Sequence, residues 1–279
     1  MFSLVALMTF MPQSGIPTVM QDIANRAQSA FPGIKSTDIA MSYRDLETDA
    51  IMSYNGNIPM YPASVVKMFY MAYAEEIIAK KKLTRDPEFD RGLIDMIKES
   101  NNDATGLILD TITGTTGGPS LSERELKKWM DKRQSVNRWL NTIGISGINA
   151  SQKTWNEGPY GRERQGYGPN FEMRNSLTAD SCVQMMTMIM RKKLAGADEM
   201  LDLLSRKAGS KDGQVGEFIG ELAPKEAKLW SKAGWTSTVR HDVACIELNG
   251  HKKVYAIFTR AQVENPKLLQ WLAAEMLKL

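Results

Sequence analysis

The sequence predicts a mixed α/β chain of the α+β kind. An antiparallel five-stranded sheet is flanked by N- and C-terminal helices, and an all-helical subdomain lies between its two groups of strands. Three observations carry this reading. Strand-like segments occur only towards the two ends of the chain, so one sheet must join them. The middle is dominated by helical periodicity. Near the C-terminus, Asn249-Gly250 joins two apolar runs, a strong hairpin signal. The 279 residues suffice for one large domain. The expected division is an N-terminal segment at 1–15, a sheet subdomain at 16–60 and 215–279, and a helical subdomain at 61–214.

In chain order, Ile16 to Ala30 reads as a helix, with Val19, Ile23 and Ala27 at helical spacing, and Pro32-Gly33 ends it. Ile39, Met41 and Tyr43 alternate with smaller or polar residues and mark a strand. Glu47-Thr48-Asp49 forms a turn, and Ala50 to Tyr54 a second strand. Pro62-Ala63-Ser64 opens a strongly apolar helix that ends in Lys80-Lys81-Lys82. Further helices are expected at about Asp90–Glu99, Asp103–Ile112, Glu123–Asn141 and Leu177–Met190. Gly147 to Asn175 has little periodicity, and loops of that length are often functional. Lys228–Trp235, Asp242–Leu248 and Lys253–Thr259 are the remaining strands. Asn265-Pro266 caps a last helix through LLQWLAAEML.

Composition narrows the function. Apolar residues make up 43% and charged residues 24%, which sets disorder aside for most of the chain. A net charge of +3, from 35 basic and 32 acidic residues, is too small and dispersed to imply a nucleic-acid partner. Cys182 and Cys245 sit in apolar segments and read as buried thiols, although spacing does not exclude a disulfide. His241 and His251 lack a Cys or His partner at ligand spacing, which argues against zinc and against a Ser-His-Asp triad. Met1 to Met11 is apolar but too short to span a bilayer, and it lacks a basic n-region and a cleavage site. A trimmed export signal and a terminal segment that packs down both remain open.

Three short elements carry chemistry. Ser64-Val65-Val66-Lys67 puts a hydroxyl and an amine on one face of a helix. A serine needs a base to become a nucleophile, and a lysine serves if burial lowers its pKa. At a helix start, unpaired N–H groups can also bind an oxyanion. Ser100-Asn101-Asn102 offers a hydroxyl to relay a proton and an amide to hold a substrate carbonyl. In Lys232-Ala233-Gly234, the glycine lets a ligand approach the strand and the lysine attracts a carboxylate. Each element is weak alone. Ser-x-Asn recurs at Ser53 and Ser135, the plain role of Ser100 is helix capping between two helices, and Lys207-Ala208-Gly209 repeats the third triplet.

Their order and placement decide. Serine-lysine opens a helix after two strands, Ser-x-Asn lies between two helices, and Lys-x-Gly lies on a late strand before a hairpin and a terminal helix. With these residues the chain resembles the class A branch of the serine β-lactamase and penicillin-binding protein superfamily, from about Ile16 to Leu279. Its loop Trp155 to Asn175 is similar to a cyanobacterial-type group of class A-like serine hydrolases. The resemblance implies Ser64 as the acylated nucleophile, Lys67 as its base, Ser100 as proton relay and Asn102 as substrate amide anchor. It implies Lys232 as the carboxylate and relay lysine, with Gly234 opening the strand. The N–H groups of Ser64 and Trp235 would form the oxyanion hole, and Arg240 would support the substrate carboxylate unless it is a solvated strand residue. A small β-lactam or peptidoglycan-peptide substrate, no cofactor, no metal, no nucleic acid, a monomer and a periplasmic or secreted location go with it.

The sequence also departs from the family pattern. The loop reads Trp155-Asn156-Glu157-Gly158-Pro159, where the family places its deacylating glutamate directly after the tryptophan. Asn156 holds that place and Glu157 is one residue late, which matters because a base must reach the attacking water. Arg174 is followed by Asn175 where an aspartate is usual, so an internal salt bridge is lost. An insertion around Pro119 to Lys132 lengthens the helical part. Ala233 removes a hydroxyl from Lys-Thr-Gly, and a bulky Trp235 is expected to narrow the site. The expected activity is a serine acyl hydrolase of the β-lactamase or D-Ala-D-Ala peptidase type, with slow release of β-lactams. An efficient β-lactamase using Glu157 and a non-catalytic module that binds cell-wall peptide are the alternatives.

Overall fold

The computed structural model describes residues 18–260 and 267–279. The N-terminal segment at 1–15, the start of the first expected helix and the Asn265-Pro266 cap lie outside them. Helix α1 (Val19–Ala30) is capped by Thr18, whose hydroxyl accepts from the Gln21 N–H at 3.2 Å. Its inner stripe, Met20, Ile23, Ala24 and Ala27, is buried.

Strands β1 (Ile39–Asp45) and β2 (Ile51–Tyr54) form a hairpin whose turn places Asp49 at φ 63°. At the other end of the chain are β4 (Lys228–Trp235), β5 (Val239–Leu248) and β6 (His251–Arg260). Asn249 and Gly250 both take positive φ between β5 and β6, the conformation a tight hairpin demands. Antiparallel pairing of β1 with β6 closes the two ends into one sheet. The sheet has six strands rather than five, in the order β2-β1-β6-β5-β4-β3. The additional strand, β3 (Ser205–Lys207), pairs with β4 along the sheet edge. Three residues, two of them charged, show no period by which a strand can be read. β3 also falls inside the stretch expected to be wholly helical.

Alternation along the strands builds two cores. Tyr255 and Ile257 of β6 pack with α1 and with α10 (Leu268–Met276) on one face. Val254, Ala256 and Phe258 face the helical layer. That layer is centred on α2 (Lys67–Ala79) and α8 (Ala179–Met190), and α8 lies against β1 and β6. Around them run α3 (Pro87–Ile97), α4 (Asn102–Thr113), α5 (Glu123–Arg133), α6 (Ser135–Thr142) and α9 (Ala197–Leu204). The single helix expected over Glu123–Asn141 is two, separated at Gln134. The long loop contains the short helix α7 (Gly161–Gly166). Cys182 and Cys245 are buried free thiols. Among the described residues no helix is long and apolar enough to cross a membrane.

Candidate active site

A 3₁₀ turn over Ala63–Val66 leads into α2. Ala63 is held at φ 46°, a costly conformation for a residue with a Cβ. Of the run Pro62–Tyr70, Ser64 alone is partly exposed. The turn rests against Gly234 of β4. A Cβ there would stand 2.7 Å from Ser64 N and 2.8 Å from Pro62 O, so only glycine allows this approach. The Thr236 N–H bonds to Val239 O at 2.9 Å across the β4–β5 turn. Antiparallel alternation then makes Trp235 and Arg240 a non-hydrogen-bonded pair, whose N–H groups point away from each other. The Trp235 N–H therefore faces the outer edge of β4, which β3 covers only as far as Trp230. That edge packs on the turn carrying Ser64.

Two buried lysines converge on Ser100, which sits between α3 and α4 at φ 56°. Lys67, one helical turn after Ser64, donates to Ser100 O at 2.5 Å, to Asn102 Oδ1 at 2.8 Å and to Ser100 Oγ at 3.3 Å. Lys232 reaches across from β4 to Ser100 Oγ at 2.9 Å and to Ala233 O at 2.8 Å. It also donates to Gln214 Oε1, and Gln214 is itself anchored to Ile97 O and Lys98 O. Both amines are fully buried, and among the described residues neither has an ion-pair partner. Burial lowers the Lys67 pKa to about 7. Burial, with the positive charges of Lys67 and Arg206, brings Lys232 well below an ordinary lysine. A hydroxyl held between two amines of reduced pKa can pass a proton in either direction. Among the described residues Ser64 Oγ makes no hydrogen bond, either to Lys67 Nζ or to another group.

The structure thus brings together Ser64, Lys67, Ser100, Asn102, Lys232, Gly234 and the Trp235 backbone. Three expected residues stand apart. Glu157 is exposed and makes no hydrogen bond to this cluster. Its neighbour Asn156 does reach it, accepting from Asn102 Nδ2 at 2.7 Å. The Trp235 side chain does not narrow the site. Strand alternation turns its indole to the opposite face from Gly234, where it packs on Phe218 at 5.4 Å. Arg240 lies over the Phe218 ring at 4.9 Å and pairs with Glu217 at 2.9 Å, outside the Lys232 hydrogen-bond set. A groove of about 440 Å³ runs from Asn102 along Lys153, Trp155, Asn156 and Glu157.

The loop is fixed without the usual salt bridge at Asn175. Asn175 Oδ1 accepts from the Ser151 and Gln152 N–H groups at 3.0 and 2.9 Å, and its Nδ2 donates to Gln152 O at 2.7 Å. The charge lies elsewhere, in a network the sequence did not suggest. Fully buried Arg133 pairs with Asp110 at 2.5 Å and Glu163 at 2.7 Å, and Lys153 joins the same two carboxylates. Gln214 was also missed. It lies in a Gly- and Lys-rich stretch without period, and only the tertiary fold places it beside Lys232.

Comparison with known proteins identifies the family and the fold. Residues 92–277 match the model of the beta-lactamase enzyme family. Among curated protein sequences none matches. Among solved structures, a beta-lactamase from Chitinophaga pinensis superposes with a TM-score of 0.67 at 13% identity, over 94% of this chain and 99% of the other. A beta-lactamase from Sphaerobacter thermophilus gives 0.68 at 17% identity, covering 93% and 95%. The structure of PBP-A gives 0.65 at 15%, covering 92% and 95%. At such identities these likenesses establish the shared fold.

Proposed function

Because the chain belongs to the beta-lactamase enzyme family, we propose that it is a serine acyl hydrolase opening β-lactams or D-Ala-D-Ala-like amides and esters through Ser64. Ser64 Oγ attacks the substrate carbonyl carbon while its proton passes to neutral Lys67. The N–H groups of Ser64 and Trp235 receive the developing oxyanion. A proton travels by way of Ser100 to the leaving nitrogen or oxygen, the bond to it breaks, and an ester on Ser64 remains. Lys232 holds the substrate carboxylate and Asn102 its amide side chain. Water then hydrolyses the ester and restores Ser64.

The observation that carries this reading is the meeting of Lys67 and Lys232 at Ser100, beside the partly exposed Ser64. A module that only binds peptide has no chemical need for two such amines. Deacylation of β-lactams is the slow step, because the residue bonded to Asn102 is an amide and Glu157 is exposed and bonded to none of the cluster. Arg240 is engaged by Glu217 and leaves the carboxylate to Lys232. A substrate of this class places the protein outside the cytoplasm. Intact-protein mass spectrometry with a penicillin tests the proposal. A long-lived adduct on Ser64 is expected, and a protein that neither retains nor turns over the penicillin refutes it.

A further inference from the structure

His241 takes no part in the chemistry above, yet it is wholly buried behind the nucleophile. It lies on β5 opposite Gly234, the residue against which the Ser64 turn is packed. Both ring nitrogens are engaged. Nδ1 lies 3.1 Å from the Thr259 N–H of β6, and Nε2 faces Tyr61 O, a group that can only accept. The proton is therefore on Nε2, which donates to Tyr61 O at 2.9 Å. Phe258 stacks on the ring at 4.3 Å and fixes its plane. Burial lowers the pKa to about 4, which keeps this neutral tautomer in place around neutrality.

Tyr61 begins the segment that ends at Ser64. Pro62 cannot donate, and Ala63 is held in the left-handed region, so the segment has few bonds of its own to define its path. We propose that His241 is a positioning residue. Its ring ties the Tyr61 carbonyl to strands β5 and β6 and so sets where the Ser64 hydroxyl and N–H stand relative to the edge of β4. This rests on the reading of Ser64 as nucleophile. A packing role alone would need the ring's shape; positioning needs the Nε2–H donor.

Two substitutions separate these roles. In His241→Gln the amide keeps a donor for Tyr61 O and an acceptor for the Thr259 N–H. In His241→Phe the ring and its stacking on Phe258 stay while both bonds go. The readout is the second-order rate of penicilloyl adduct formation on Ser64 by intact mass spectrometry, beside the thermal midpoint. His241→Gln should acylate within about threefold of wild type, and His241→Phe about 30-fold slower or worse, as expected for a displaced reacting group. Equal rates in wild type and His241→Phe, or equal losses in both variants, overturn the proposal. Should wild type form no adduct and turn over no penicillin, the reading of Ser64 fails first and the positioning role with it. If His241→Phe does not fold, long-range ¹H–¹⁵N spectra of the wild type decide. A ring protonated at Nε2 alone between about pH 6 and 8 supports the bond to Tyr61; a proton on Nδ1 removes it.

Discussion

Asn102 Nδ2 donates to Asn156 Oδ1 at 2.7 Å, which joins the helical side of the site to the long loop by one uncharged bond. An amide at that place neither accepts a proton from water nor activates it. Asn156→Glu is expected to put a carboxylate there and to speed deacylation of a penicilloyl adduct by about tenfold or more. Glu157→Gln should leave the rate within about twofold, since Glu157 is exposed and bonded to none of the cluster. Adduct decay followed by mass spectrometry measures both. A tenfold slowing in Glu157→Gln would make it the deacylating base after all.

The pH profile of acylation should report Lys67. Its pKa is lowered to about 7 by burial, and only the neutral amine takes the Ser64 proton. The neutral fraction grows as pH rises through that value. Adduct formation should therefore be roughly tenfold faster at about pH 8 than at about pH 6. Stopped-flow measurement with a chromogenic cephalosporin follows this, and a rate independent of pH across that window would assign the base elsewhere.

Gly234→Ala probes the contact between β4 and the nucleophile turn. The new Cβ would meet backbone at 2.7–2.8 Å on three sides, with no flexible side chain able to give way. The turn must shift, so acylation should fall about a hundredfold. Circular dichroism separates this from unfolding. A folded variant that acylates normally would show that the approach of Gly234 to Ser64 is not needed.

Arg133 tests the charge buried beneath the loop. It is fully buried, and Asp110 and Glu163 depend on it. Removing it leaves two carboxylates facing the single charge of Lys153, and breaking such a buried set costs about 3–5 kcal/mol. Arg133→Met should lower stability by that amount in urea unfolding, with an unchanged slope. A loss below about 1 kcal/mol would mean that Lys153 alone suffices to hold the two carboxylates.

The parts of this architecture that could be read from sequence are those with a local signal. Asn249-Gly250 fixed a hairpin between two apolar runs, and period-two alternation marked β1. The order and placement of the three short elements, with the family resemblance they carry, led to the expectation that Ser64, Lys67, Ser100 and Lys232 meet. Residues whose placement depends on the tertiary path left no such mark. Ser205–Lys207 pairs only because β4 has a free edge. Gln214 meets Lys232 from an aperiodic stretch, and His241 acquires its partners from Tyr61 and Thr259, far away in sequence. The long loop has no period either, so its facing could not be read, and whether Asn156 or Glu157 turns inward was open until the fold was known.

Asn175 holds the long loop through a neutral side chain. Its partners are backbone groups of Ser151 and Gln152. One oxygen takes two N–H groups and the Tyr70 hydroxyl lies at 3.3 Å, while the Nδ2 satisfies Gln152 O. Asn175→Asp would keep the acceptors but replace the donor with a second buried oxygen facing the Gln152 carbonyl. Asn175 is almost fully buried, so that oxygen has no water to turn to. The expected cost is about 1–3 kcal/mol, seen as a lowered thermal midpoint. Because the same bonds hold the segment that leads to Trp155 and Asn156, the loss should appear first as faster proteolysis within 151–175. A variant as stable as wild type would mean that the loop can recruit a charge partner, and that the amide at 175 is not what holds it.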